Sequence, residues 1–215
     1  MDWLSNIRPF GIYFLLAYLI GSVPYGYLFG KLKGINIQQH GSGNIGATNV
    51  GRVMGKRWGI MTFVLDFLKA PLTGLVYYFS VKAETLLISV LIVVGAVIGH
   101  NYPLWLKFKG GKGIATSAGG LLWLMPKAFL AMIVVWILVF TIFRFVSLAS
   151  IVCAIGFPAT VWFFYPEEKL LLGFSCLLAL MAIWRHRANI ERLIAGTEHR
   201  WTKNKKVELN KENHP

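Results

Sequence analysis

The sequence predicts an all-α integral membrane protein, a bundle of seven transmembrane helices. Three observations lead there. Of 215 residues, 56% are hydrophobic and only 14% charged, whereas soluble domains run about 45–50% apolar and about 25% charged. A soluble fold of this length has too little interior to hide so much apolar surface, and the mean hydropathy of +0.58 agrees. The apolar residues also fall in runs, most of them near the roughly 20 residues that cross a bilayer. Finally, the net charge of +13 is spread unevenly over the connections between those runs. An ordinary soluble domain, a disordered chain and a disulfide scaffold are excluded. Cys153 and Cys176 lie inside apolar runs and read as free, packed thiols.

The first run covers about 10–30, and its Pro24 and glycines predict a kink. It is long and lacks a small-residue cleavage site, so it reads as a span rather than a secretory leader. The second, about 57–81, carries Asp66 and Lys69. Three residues apart on a helix, they read as an intramembrane ion pair that holds this helix against the loops. The third covers about 84–106, where Gly95-x-x-x-Gly99 predicts a close helix contact and His100 caps or packs a helix end. The fourth, 113–125, is short and rich in small residues. The fifth covers 128–143, the sixth 146–165 and the seventh 169–185. Beyond them, Ile190, Leu193 and Ile194 form the apolar stripe of an interfacial amphipathic helix. Residues 1–200 read as a single domain and 201–215 as a polar tail.

Charge decides whether the short fourth run crosses. With seven spans, seventeen of the 22 Lys and Arg fall on one side and four on the other, with Lys69 buried between. The positive-inside rule then places the N-terminus outside and the C-terminus inside. Without a crossing at 113–125, the later connections would change sides and eight basic residues at the C-terminal end would lie outside.

The basic side also carries the unusual sequence. Its three stretches are HGSGNIGATNVGR at 40–52, GHNYPLWLKFKGGKGIAT at 99–116 and HRANIERLIAGTEHR at 186–200. Glycine beside Ser, Thr and Asn, with nearby Lys and Arg, is chemistry that cradles phosphate and other oxyanions. Two soluble motifs are excluded. Gly41-x-Gly43-x-x-Gly46 follows a membrane helix rather than a strand, so it is no dinucleotide fingerprint. GGKG at 110–113 lacks the Ser/Thr and the upstream glycine of a phosphate-binding P-loop. The histidines lack metal-ligand spacing.

These three stretches resemble the PlsY family, the bacterial acyl-phosphate:glycerol-3-phosphate acyltransferases, with its patterns GSGNxGATNVxR, GHxxPxxxxFKGGKGxAT and HxxNIxRLxxGxE. Asp66-x-x-Lys69 and Arg144-x-x-Ser147-x-x-Ser150 resemble further family elements. The resemblance implies a multi-pass enzyme of the bacterial inner membrane with its motifs on the cytoplasmic face. It implies acyl phosphate, glycerol-3-phosphate and membrane lipids as partners, with no cofactor, metal or nucleic acid. The implied reaction gives 1-acyl-glycerol-3-phosphate, or lysophosphatidic acid, and phosphate, the first step of phospholipid synthesis. Lys112 and Arg52 are then expected to bind phosphate. Ser42, Thr48 and Asn49 are expected to donate hydrogen bonds, Ser150 to add another, and Gly43 and Gly111 to contribute backbone. His186 and Asn189 are expected to orient the glycerol hydroxyl or the leaving phosphate. Either His186 or the phosphate itself takes the proton. A small anion transporter or channel is the alternative reading of a bundle with Gly/Pro breaks and a buried ion pair.

Overall fold

The computed structural model describes residues 3–80 and 85–201. Among these the regular structure is helical throughout. Helix α1 covers Trp3–Gly21 and α2 Tyr25–Leu32. The kink expected at Pro24 is a full break, because Pro24 takes a non-helical conformation and has no N–H to continue the ladder. Helix α3, Ala47–Met54, leads through Gly55 into the long α4, Lys56–Ser80. Helix α5 is Leu86–Asn101, α6 Ile114–Leu124, α7 Pro126–Phe143 and α8 Val146–Phe164. Helix α9, Lys169–Arg185, meets α10, Arg187–Ile194, at 57°.

Among the described residues, five segments are long and apolar enough to cross a bilayer: Phe10–Leu32, Lys56–Ser80, Leu86–Leu106, Pro126–Phe143 and Val146–Phe164. Helices α9 and α10 make a sixth when the bent pair is taken as one. The fourth apolar run forms α6, with 11 residues, which reach only about 16 Å.

Glycine sets the spacing of the inner helices. Gly95 meets α1 at Phe14 and Ala17, and Gly99 meets it at Tyr18. These two positions let α1 and α5 approach along their length, as the Gly-x-x-x-Gly spacing predicts. Gly119 of α6 lies directly on the backbone of Phe67 in α4, and Gly120 on Val93 in α5. The core continues through Tyr77, Ile92, Val93, Met125 and Val161, all below 2% exposed.

Helices α4, α6 and α8 begin at the end of the bundle where α5, α7 and α9 finish. The three glycine- and histidine-rich stretches therefore converge at one end. Trp201, which composition assigns to the tail, is held against this end. Its N–H donates to Arg144 O at 2.8 Å and its ring meets Phe140 edge-on. The rest of the expected tail, 202–215, lies outside the described residues.

Candidate active site

The first stretch is organised by one side chain. Asn49 is 2% exposed. Its Nδ2 donates to His40 O at 3.0 Å and Asn44 O at 2.9 Å, and its Oδ1 accepts from Ser42 N at 2.8 Å. Gly43, at φ 68°, makes the left-handed step that wraps this loop around the amide. Ser42 and Thr48 line the cavity beside it. Asn49 thus spends its amide on the loop and positions its neighbours. Arg52, in the last turn of α3, also lines the cavity. Burial lowers its pKa, against the Glu198 charge, which raises it.

The second stretch is strapped from two sides. Gly110 N donates to Asn101 O at 3.2 Å and Gly111 N to His100 O at 3.0 Å. From α9, Arg185 donates to Gly110 O at 2.8 Å and to Gly111 O at 2.6 and 3.0 Å. The expectation that Gly111 contributes backbone to substrate therefore meets a correction. Its N–H is taken by the end of α5, its carbonyl by Arg185, and it lines neither cavity. The strap instead fixes the next residue, Lys112, whose Nζ donates to Asn189 Oδ1. Gly113, at φ 79°, then turns the chain into α6.

Beneath this loop lies a buried cluster. Lys69 Nζ is 2.8 Å from Asp66 Oδ1 and 3.2 Å from His100 Nδ1. The expected ion pair is present, and His100 is its third member rather than a simple helix cap. Asp66 and His100 line the cavity as well, with Asp66 one residue before Phe67 on α4.

The third stretch completes the site. His186 stands at the break between α9 and α10, 3% exposed, with Nδ1 donating to Ala182 O at 2.7 Å. A carbonyl only accepts, so Nδ1 carries the hydrogen and, in the neutral ring, Nε2 carries the lone pair. Burial, and next the charge of Lys112, push the His186 pKa down to about 4, so the ring is neutral near pH 7. Burial likewise pushes Lys112 down to about 8, opposed by Glu198 and reinforced by Arg192, Arg185 and Arg52.

Glu198 was not singled out from sequence, yet it is the hub. Its Oε1 accepts from Asn189 Nδ2 at 2.7 Å and from Ser147 Oγ at 2.8 Å, and its Oε2 from Arg192 Nε at 2.7 Å. Burial raises its pKa, but these hydrogen bonds and the Arg192 charge outweigh that and hold it below the usual carboxylate value. Because Glu198 can only accept, it orients the Asn189 amide with Nδ2 toward itself and Oδ1 toward Lys112. The available signal was Gly196: a left-handed glycine after α10 brings Glu198 back against Arg192. Arg185 was missed because its partners are distant in sequence.

Two cavities meet here. The larger, about 650 Å³, is lined at its polar end by Ser42, Arg52, Lys112, His186 and Asn189 and deeper down by apolar side chains. The smaller, about 200 Å³, is lined by Ser42, Gly43, Lys112, Arg185, Arg187 and Asn189. Ser42, Lys112 and Asn189 belong to both. Ser150 lines the larger one, but its hydroxyl donates to Val146 O at 2.9 Å and accepts from Trp136 Nε1 at 3.3 Å. It holds the Trp136 wall in place.

Cationic groups at the mouth of a deep apolar cavity, within a helical bundle of membrane composition, define an enzyme site for an amphiphile with an anionic head. The chain belongs to the glycerol-3-phosphate acyltransferase family, whose model matches residues 11–196. A glycerol-3-phosphate acyltransferase of Desulforamulus reducens is 46% identical over 85% of this chain and 90% of its own. That of Bacillus subtilis is 44% identical over 86% and 93%. The crystal structure of PlsY, an integral membrane glycerol 3-phosphate acyltransferase, in its glycerol 3-phosphate form superposes with a TM-score of 0.82. It is 38% identical and covers 90% of this chain and 96% of that one. Its lysophosphatidic acid form gives a TM-score of 0.80 at 37% identity, over 90% and 95%.

Proposed function

We propose that this chain transfers an acyl group from acyl phosphate to the 1-hydroxyl of glycerol-3-phosphate. The products are 1-acyl-glycerol-3-phosphate and phosphate, in the first step of phospholipid synthesis. One observation carries the reading: two cavities, one apolar and deep, one small and cationic, share Ser42, Lys112 and Asn189. A two-substrate reaction between a lipid-tailed anion and a small polar anion needs that geometry.

In this reading Lys112 and Arg52 neutralise phosphate charge at the junction, while Ser42 and Thr48 donate hydrogen bonds to substrate oxygens. Gly43 shapes the small cavity. Asn189 positions Lys112, and Glu198 positions Asn189. His186 accepts a hydrogen bond from the glycerol hydroxyl at Nε2 and aims the oxygen at the acyl carbon. The hydroxyl oxygen forms the ester bond, the acyl carbon–phosphate oxygen bond breaks, and the proton leaves with the phosphate. Charge favours that destination: the leaving phosphate gains a negative charge as the bond breaks, whereas His186, with a pKa of about 4, resists protonation. Acyl phosphate is already activated, so positioning and charge stabilisation supply most of the acceleration.

We further propose that the chain crosses a bacterial inner membrane in seven spans, N-terminus out and C-terminus in, with residues 1–200 as one domain and the motif loops cytoplasmic. The excess of Lys and Arg on the loop side supports that orientation. A cysteine-labelling map of the connections would overturn it by finding 126–127 and 110–112 on the same side.

The decisive assay mixes purified protein with acyl phosphate and labelled glycerol-3-phosphate. Labelled lysophosphatidic acid is expected. No product, or a strict demand for acyl-CoA, refutes the reaction. His186→Ala is expected to lose about 10²-fold or more in turnover. A loss confined to substrate affinity refutes the orienting role.

A further inference from the structure

The larger cavity has a floor. Its lining descends α8 from Ser147 through Ser150 and Ala154 to Phe157, and α7 from Phe140 through Trp136 and Met132 to Phe129. On α4 it descends from Lys56 to Phe67, and on α6 from Ile114 to Leu121. On α4, α7 and α8 the run is eleven or twelve residues and on α6 eight, so the lining ends about 11 to 16 Å below the polar mouth. At that depth the rings of Phe67 and Phe129 meet edge-on, with centroids 6.3 Å apart, and bridge α4 to α7. Phe157, 4% exposed, and Leu121, 9% exposed, close the remaining sides. Phe67 cannot withdraw toward α6, because Gly119 packs on its backbone.

Resting on the acyl-transfer reading, we infer that the Phe67–Phe129 pair, with Leu121 and Phe157, measures acyl-chain length. A chain enters with its phosphate at Lys112 and its methyl end toward the pair. An extended chain advances about 1.2 Å per bond, so about nine to thirteen bonds fit before the methyl group reaches the rings. A longer chain has to leave sideways, between α4 and α7. There Ile60, Phe63 and Ile133 line the cavity while 52%, 45% and 37% exposed. Such a chain has to bend at the rings, so discrimination begins there.

The test measures kcat/KM over a series of saturated acyl phosphates, shorter and longer than the cavity. Phe129→Ala is expected to move the optimum to longer chains. Ala154→Leu, which narrows the cavity above the floor, is expected to move the optimum to shorter chains. Val134→Ala, on the outward side of α7 and 55% exposed, is expected to leave the profile unchanged. An optimum unmoved in active Phe129→Ala and Ala154→Leu overturns the inference. So does an equal shift in Val134→Ala. Thermal stabilisation by lysophosphatidic acids of graded length, read without turnover, is expected to show the same shifts, and a length-independent response overturns the inference. Graded stabilisation from a chain that turns over no acyl phosphate supports the floor while refuting the acyl-transfer reading.

Discussion

The lowered pKa of Lys112 makes a measurable prediction about Glu198. With a value of about 8, Lys112 is about nine-tenths charged at pH 7 and about one-tenth at pH 9. If its charge receives phosphate, kcat/KM, which reports the free enzyme, falls through an alkaline limb near pH 8. Bound phosphate raises the pKa, so the limb of kcat lies higher. Glu198 faces Lys112 across the Asn189 amide, at a charge separation on the order of 6 Å. At an effective dielectric of about 20 this is about 3 kcal/mol, or about two pH units. Solvent on the outer side of Glu198 reduces that to about one. Glu198 raises the Lys112 pKa, so Glu198→Gln moves the limb down, from about pH 8 to about pH 7. The assay is kcat/KM against pH for both proteins in matched detergent, after size-exclusion and circular dichroism confirm folding. A limb that stays in place, or moves up, refutes the electrostatic link. Lys112→Arg, with a charge that does not titrate in this range, is expected to lose the limb.

Other consequences are stated more briefly. The depressed pKa of Glu198 contributes stability that is present above the unfolded carboxylate value of about 4.3 and is lost as pH falls through the folded value. The thermal midpoint of the unmodified protein should therefore fall more steeply on acidification than that of Glu198→Gln. Asp66→Asn leaves Lys69 buried without its carboxylate and should cost about 3–5 kcal/mol, read as a lowered midpoint in detergent. Gly119→Val drives a side chain into the Phe67 backbone and should cost about 1–3 kcal/mol or more; an unchanged midpoint would show that α4 and α6 do not pack there.

Much of the site was legible because its elements are local. The Gly-rich stretch at 40–52, the GGKG loop and the His186–Asn189 spacing each announced themselves within a few residues. The charge distribution groups them at one end of the bundle. What stayed hidden depends on partners far apart in sequence. Asn49 and Asn189 are the same residue in two glycine-bearing contexts. One turns inward to three carbonyls and the other bridges Lys112 to Glu198. No spacing rule tells which way an amide faces. Arg185 stayed hidden because its partners are backbone carbonyls 74 and 75 residues away. The break after α1 was half visible: Pro24 predicts a bend, and its non-helical conformation makes that bend a full break.

The sideways opening between α4 and α7 has a kinetic meaning. Ile60, Phe63 and Ile133 line the cavity yet remain open at the apolar flank of the bundle, and α7 buries only 6% of its apolar window. An acyl substrate arriving there never passes through water. The concentration that sets its rate is a mole fraction in the bilayer plane rather than a molarity. Diluting the lipid phase with inert detergent should slow the reaction at constant bulk substrate, while diluting the buffer affects only the water-soluble partner.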